Sequence, residues 1–247
     1  MKVHNCFAFA SFCAIAPVLA YSAPDAAPVR SDVQKRTVEE LVECPVSENL
    51  RGHEDTEWSI GYGFGLVRRP DLPRVLLVGD SICNGYQPGV RERLKEVANV
   101  SYWISSYCVT SPGYLKLLAF YLDEAKYDVI HFNNGLHSLG TPIVDWEKGL
   151  EAAFRLIRLK QPKAKIIWVT STPRVEPTTK VKERNAAAQR VLARLGWDIP
   201  TNDLFTPMDA LDRKTNWSDG CHFRNPARAI QADLVAAACR RALGVVK

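Results

Sequence analysis

The sequence predicts an α/β domain whose parallel sheet is covered by helices on both faces. Three observations carry that expectation. Four short strand-like runs, at residues 74–78, 100–104, 128–133 and 165–170, the first of them apolar up to an abrupt stop, each end at turn-forming residues. Between and after them lie segments with apolar residues at helical spacing, and strand-helix repetition of this kind implies parallel pairing. The chain has 247 residues, 47% of them hydrophobic and 24% charged, enough for one such domain with a sizeable core.

The first twenty residues are not expected to join the fold. Lys2 and His4 precede an apolar stretch from Cys6 to Ala20 that is too short to cross a bilayer in comfort and ends in the small-residue signal Val18-Leu19-Ala20. Cleavage there makes Tyr21 the new N-terminus and the product secreted or periplasmic, without stable membrane insertion. Residues 21–70 read as an N-terminal arm or linker. Within it, residues 58–67 place glycines at 61, 63 and 65 in alternation with Tyr62, Phe64 and Leu66, the pattern of a lone strand or of a loop packing aromatics on the domain edge.

The main domain is assigned to residues 71–247. Arg74 to Val78 is a buried strand, residues 90–97 a helix, Val100 to Ile104 a strand, and residues 114–126 a helix with Leu115, Leu118 and Leu122 in register. Residues 128–133 form the next strand. Asp145 then caps a helix that aligns Leu150, Phe154 and Ile157, and residues 165–170 return as strand. Residues 178–195 are a helix closed by Gly196, residues 197–200 lead a short last strand, and residues 226–243 form the final helix behind Pro226. In a parallel sheet ligands sit beyond the carboxyl ends of the strands, so Ser81, the Cys108 loop, residues 134–137 and the loop from Ser171 share one rim.

Charge narrows the function. The net charge of +5 is mild and its Lys and Arg residues are scattered along helices, which argues against nucleic acid as a partner. Seven cysteines become five once Cys6 and Cys13 leave with the signal, an odd number for an oxidising compartment. Cys83, Cys108 and Cys221 are placed in loops around the rim, Cys44 and Cys239 outside it, and a Cys83 to Cys108 disulfide is one pairing to test.

The chemistry rests on two short stretches. The strand at 74–78 ends abruptly in Gly79-Asp80-Ser81, and Asp219-Gly220-Cys221-His222 stands just before a helix. A serine hydroxyl is a weak nucleophile until a neighbouring base takes its proton, and a strand end is a rigid place to hold it. Gly79 is read as allowing a tight turn there. Two stretches match Asp-x-x-His, but in Asp128 to His131 the pair lies in a strand, where residues three apart point to opposite faces. In the Gly-containing loop Asp219 can curl back to one ring nitrogen of His222 and leave the other for Ser81.

The spacing does not suit the α/β-hydrolase elbow, because the run is Gly79-Asp80-Ser81-Ile82-Cys83 and acid and base share one loop. Gly79-Asp80-Ser81-Ile82 resembles the first block of the SGNH, or GDSL-like, hydrolases, and Asp219-Gly220-Cys221-His222-Phe223 resembles the last. The resemblance runs from about Pro73 to the C-terminus. It implies a three-layer α/β/α sandwich with a parallel flavodoxin-like sheet, and ester hydrolysis through a Ser81, His222, Asp219 triad without metal or other cofactor. It also implies an oxyanion hole built from the Ser81 amide, a second loop amide and a side chain. In those middle blocks the chain departs from the pattern. The stretch Ser106-Tyr107-Cys108-Val109-Thr110 has no glycine before Gly113, leaving a Val109 amide, and His137 stands where asparagine is usual, with Asn134 three residues earlier.

Export and an open strand-end site suit an acetyl ester on extracellular carbohydrate, so the expected partner is a small-molecule or polysaccharide ester. Trp217, near the His222 loop, is the candidate sugar platform, whereas Trp146 and Trp168 lie on core-facing elements. Three other readings stay open: a non-catalytic carbohydrate-binding protein on the same fold, a lipase- or thioesterase-type acyl hydrolase, and a metal-dependent hydrolase using Asp80, His137, Asp219 and His222. The sequence leaves the oligomeric state open.

Overall fold

The computed structural model describes residues 56–63 and 68–245, apart from 112, 138 and 177. The expected signal segment, Cys44 and most of the arm lie outside the described residues. Six strands form one sheet: β1 (Ser59–Tyr62), β2 (Arg74–Gly79), β3 (Asn99–Ser105), β4 (Val129–Phe132), β5 (Lys165–Val169) and β6 (Thr201–Asn202). Their order is β1-β3-β2-β4-β5-β6, with β1 antiparallel to β3 and every other pairing parallel. Leaving out β1, this is the flavodoxin-like order, whose direction of winding reverses at β2 and β4. Residues 59–62 of the glycine-rich stretch are therefore an edge strand, upstream of the expected start at 71. Gly61 is needed in it because a side chain there would run into the Tyr121 ring, 2.1 Å from the added carbon.

The helices are α1 (Ser81–Leu94), α2 (Tyr114–Asp123), α3 (Ile143–Lys160), α4 (Thr178–Leu195), α5 (Phe205–Asp209), α6 (Arg213–Asn216) and α7 (Asn225–Leu243). Strand side chains alternate between two cores. Leu76, Val78, Trp103, Phe132 and Trp168 pack with α2, α3 and α4, while Val75, Leu77, Ile104 and Ile167 pack with α1 and α7. Each strand from β2 to β4 is buried along almost its whole length, which is why apolar residues dominate its sequence, with Ser101 and His131 among the buried polar exceptions.

Two expectations about this region are corrected. The helix after β2 starts at Ser81, nine residues before the expected position, although it contains Gly85, Pro88 and Gly89. Gly85 and Gly89 form the stripe on which α7 lies, since a side-chain carbon at Gly89 would come within 2.8 Å of Ala232 Cβ. Pro88 and Asn84, whose carbonyl loses its helical donor, are both exposed, so water can replace the missing N–H. Gly79 also has a different role from the one expected. Positive φ among the described glycines occurs at Gly196 (62°) and Gly244 (74°), and Gly79 is needed instead because a side chain there would meet Cys83 Cβ at 2.7 Å. Gly196 closes α4 in the left-handed conformation expected of it.

Cys83 is therefore buried in α1 rather than placed in a loop, and the Cys83 to Cys108 disulfide does not form. Cys83 packs in the core under α1 and α7, Cys108 in the core on the opposite face, and the sheet lies between them. Cys83, Cys108, Cys221 and Cys239 are all free thiols. Among the described residues no helix is long and apolar enough to cross a membrane.

Candidate active site

The nucleophile candidate stands at the junction of β2 and α1. Asp80 is the N-cap of α1, its Oδ1 accepting the Ile82 N–H at 2.9 Å, so Ser81 is the first residue of the helix. Its amide is one of the N–H groups that a helix start leaves over. The junction is rigid because Ile82, Cys83 and Tyr86 are buried behind it.

The second stretch is held by a miniature β-bridge. Trp217 and Phe223 pair antiparallel, the Ser218 amide donates to the His222 carbonyl at 3.0 Å, and the Arg224 amide donates to Asn216 O at 2.8 Å. The Val175 amide donates to Gly220 O at 2.8 Å and fastens this loop to the one after β5. Inside the loop Asp219 turns back on itself. Its Oδ1 accepts the amides of Cys221 (2.9 Å) and His222 (2.8 Å), while Oδ2 lies 2.8 Å from His222 Nδ1.

The other ring nitrogen completes the chain, with His222 Nε2 lying 2.7 Å from Ser81 Oγ. A carboxylate at Nδ1 places the ring proton there and leaves the Nε2 lone pair facing the hydroxyl. Burial by itself would raise the Asp219 carboxyl, but the two amides and the imidazole outweigh it and hold the group well below the usual carboxylate range. It stays ionised as an orienting group. The neighbouring Cys221 thiol is pushed up to about 11, by burial first and then by the Asp219 charge. Its Sγ lies 3.6 Å from His222 Nδ1.

The other sequence candidates are distributed differently. The Val109 N–H donates to Asn134 Oδ1 at 3.2 Å and Asn134 Nδ2 donates to Tyr107 O at 2.8 Å, so these two oxyanion candidates are tied to each other across the loops after β3 and β4. His137 is half-buried, with its ring edge-on to Trp58 at 6.3 Å between centroids. His131 meets Asn202, Nε2 to Nδ2 3.1 Å, and Asp128 accepts the Arg74 amide, so that second Asp-x-x-His pair does not come together. Trp217 is not an exposed platform. It is 4% exposed and packs on Phe223, centroids 4.9 Å apart, with the Arg213 guanidinium 5.1 Å from its ring. It anchors the loop that carries Asp219 and His222.

Sequence reading missed two supports. Trp58 ties β1 to the rim by exchanging hydrogen bonds with Ser106, its amide donating to Oγ at 2.9 Å and its carbonyl accepting the Ser106 amide at 3.1 Å. Gly149 on α3 lets the Val109 loop lie against the helix, because a side-chain carbon there would sit 2.9 Å from Val109 O. Neither residue belongs to a motif; only the fold brings them to the rim.

No family model matches the chain. A crystal structure of a carbohydrate esterase family 3 from Talaromyces cellulolyticus superposes with a TM-score of 0.59 at 13% identity, covering 71% of this chain and 100% of that one. A member of the lipolytic protein G-D-S-L family from Veillonella parvula gives 0.56 at 18% identity, covering 68% and 98%. This is the SGNH, or GDSL-like, hydrolase fold. Its sheet and two helical layers are those described above, with Ser81 at the end of β2. By sequence the chain is 30% identical over 122 residues to the platelet-activating factor acetylhydrolase IB subunit alpha2 of Gallus gallus, covering 49% of this chain and 53% of that protein. The match thus spans about half the length of that curated relative.

Proposed function

We propose that this protein is an exported serine esterase that hydrolyses a carboxylic ester, in the first instance an acetyl ester on carbohydrate. The observation that carries the reading is the unbroken chain from Ser81 Oγ through the His222 ring to Asp219, on a rim open to solvent. His222 takes the Ser81 proton as Oγ attacks the ester carbonyl, and Asp219 stabilises the imidazolium that results. The tetrahedral intermediate collapses as His222 returns that proton to the leaving alcohol. Water, activated by the same histidine, then releases the acid. The Ser81 amide is the first donor to the oxyanion and His137 the second, while the Val109 to Asn134 tie frames the loop between them. The acetyl group is favoured by the name of the avian acetylhydrolase relative, the carbohydrate by the fungal esterase neighbour, and export by residues 1–20.

The test is hydrolysis of p-nitrophenyl acetate and of acetylated xylo-oligosaccharides by the wild type and by Ser81→Ala. Removing the nucleophile should bring the rate to background, a loss of at least about 10³-fold. Equal rates in the two proteins would overturn the proposal. Preference for long-chain acyl esters over the sugars would redirect it to a lipase-type substrate.

A further inference from the structure

Asp219, Cys221 and His222 do more than form one turn of chain. One carboxylate oxygen, the thiol sulfur and an imidazole nitrogen lie within 4.8 Å of one another, on a loop exposed at Asp219 and half-buried at the other two. Among the described residues this is the one group of three such side chains placed to hold a metal ion. We propose that it is a binding site for a thiophilic divalent cation, with zinc as the type, and that filling it switches the esterase off. The second half of that statement rests on the serine-esterase reading; the binding site does not.

The geometry fits this class of ion. Zinc bonds of about 2.3 Å to sulfur and about 2.0–2.1 Å to nitrogen, at the tetrahedral angle, separate the two ligand atoms by about 3.6 Å. The Cys221 Sγ to His222 Nδ1 distance is 3.6 Å already. The carboxylate has to draw back, because Oδ2 sits at a hydrogen-bonding 2.8 Å from Nδ1, whereas two zinc ligands of this kind stand about 3.4 Å apart. Asp219 is exposed and can move by the difference. Water completes the coordination. A mixed oxygen, nitrogen and thiolate set suits zinc, cadmium or cobalt, whereas magnesium and calcium take oxygen ligands. Arg174, whose charge acts on Cys221, opposes the cation and limits its affinity.

Inhibition follows from which nitrogen is taken. In the active arrangement Nδ1 carries the ring proton, donated to Asp219, and the Nε2 lone pair faces Ser81. A cation needs the Nδ1 lone pair, so the ring proton moves to Nε2 and the ring stays neutral. The Cys221 thiol gives up its proton to solvent, and one proton leaves for each ion bound. His222 then presents N–H to Ser81 Oγ and has no lone pair with which to accept its proton. The same ion takes Asp219 from its orienting role.

The experiment uses the full chain, Zn²⁺ for rates and Co²⁺ for spectra. Zinc should inhibit acetyl-ester hydrolysis, and a chelator should restore it. Cys221→Ala keeps the amide that Asp219 uses, and its half-inhibiting zinc concentration should rise by at least about tenfold, a comparison made against its own metal-free rate. Co²⁺ should give a thiolate charge-transfer band with wild type that is absent from Cys221→Ala, whatever other cysteines the chain holds. That spectrum reports binding even if no ester is hydrolysed, so failure of the site and failure of the esterase reading are distinguishable. Unchanged zinc sensitivity in Cys221→Ala, a cobalt band that survives the substitution, or activation by zinc would each overturn the proposal.

Discussion

Ser81 and His222 are 141 residues apart in the chain, yet Oγ and Nε2 meet at 2.7 Å. The carboxylate that fixes the ring is local, three residues from it, and its ionisation is secured by amides of its own turn. Asp219→Asn keeps the shape but presents an amide where the ring needs an acceptor, which favours the wrong tautomer. We expect kcat for acetyl-ester hydrolysis to fall by about 10³- to 10⁴-fold with little change in thermal midpoint. Wild-type kcat in that variant would remove Asp219 from the mechanism. At this scale the sequence was most legible, because Asp219 and His222 share one loop and their relation depends on local geometry alone. The Trp217 expectation failed for the opposite reason. Nearness in sequence to His222 says nothing about which way an indole faces, and this one faces the core. Trp217→Ala should accordingly cost about 3–5 kcal/mol of stability by denaturant titration. A change confined to KM, with stability intact, would return the residue to the substrate site.

Elements place what residues alone cannot. The helix after β2 carries Gly85, Pro88 and Gly89, all poor helix formers, and propensity alone delays its start to Val90. Tertiary packing reverses that preference: the glycines let α7 approach, and the buried residues Ile82, Tyr86 and Val90 supply the apolar face. The same close approach holds the rim on the other side of the sheet, where Gly149 of α3 meets the Val109 backbone. In Gly149→Ala the added carbon would press on Val109 O and displace the loop carrying the Asn134 tie. Overpacking of this kind costs about 1–3 kcal/mol, and kcat should fall more than stability explains. The check is to compare kcat and KM well below the melting midpoint; kinetics identical to wild type would show that the rim does not depend on this contact.

Across the whole molecule, the sheet order sets the site, since the connections after β2 and β4 run in opposite directions across the sheet and the winding reverses between these two strands. The same sheet buries His131 at its centre, against Tyr86 and Asn202, and burial pulls its pKa down to about 3. The unfolded chain takes up this proton below about pH 6.5, whereas the folded protein refuses it until about pH 3. Stability from this group is therefore complete above that range and is lost as the pH falls, by about 1.4 kcal/mol per unit inside the window. Denaturant titrations at pH 7, 5 and 4 should show a flatter dependence for His131→Asn, which cannot titrate, whatever its absolute stability. Parallel pH profiles for the two proteins would mean that His131 is not the acid-sensitive group.

Sequence alone determined what depends on short-range patterns. Predominantly apolar runs named the buried strands β2 to β5, helical patterns named α2, α3, α4 and α7, and the Asp219 to His222 turn was readable because its hydrogen bonds close within four residues. Tertiary structure decided everything that depends on which surfaces touch. It brought β1 to the sheet edge and extended α1 back to Ser81. It separated Cys83 from Cys108 by the thickness of the sheet, and it engaged Val109 and Asn134 with each other. The physical reason is common to all four. Each is an interaction between segments distant in the chain, where packing and hydrogen bonding across the fold outweigh the local preferences that a linear sequence displays.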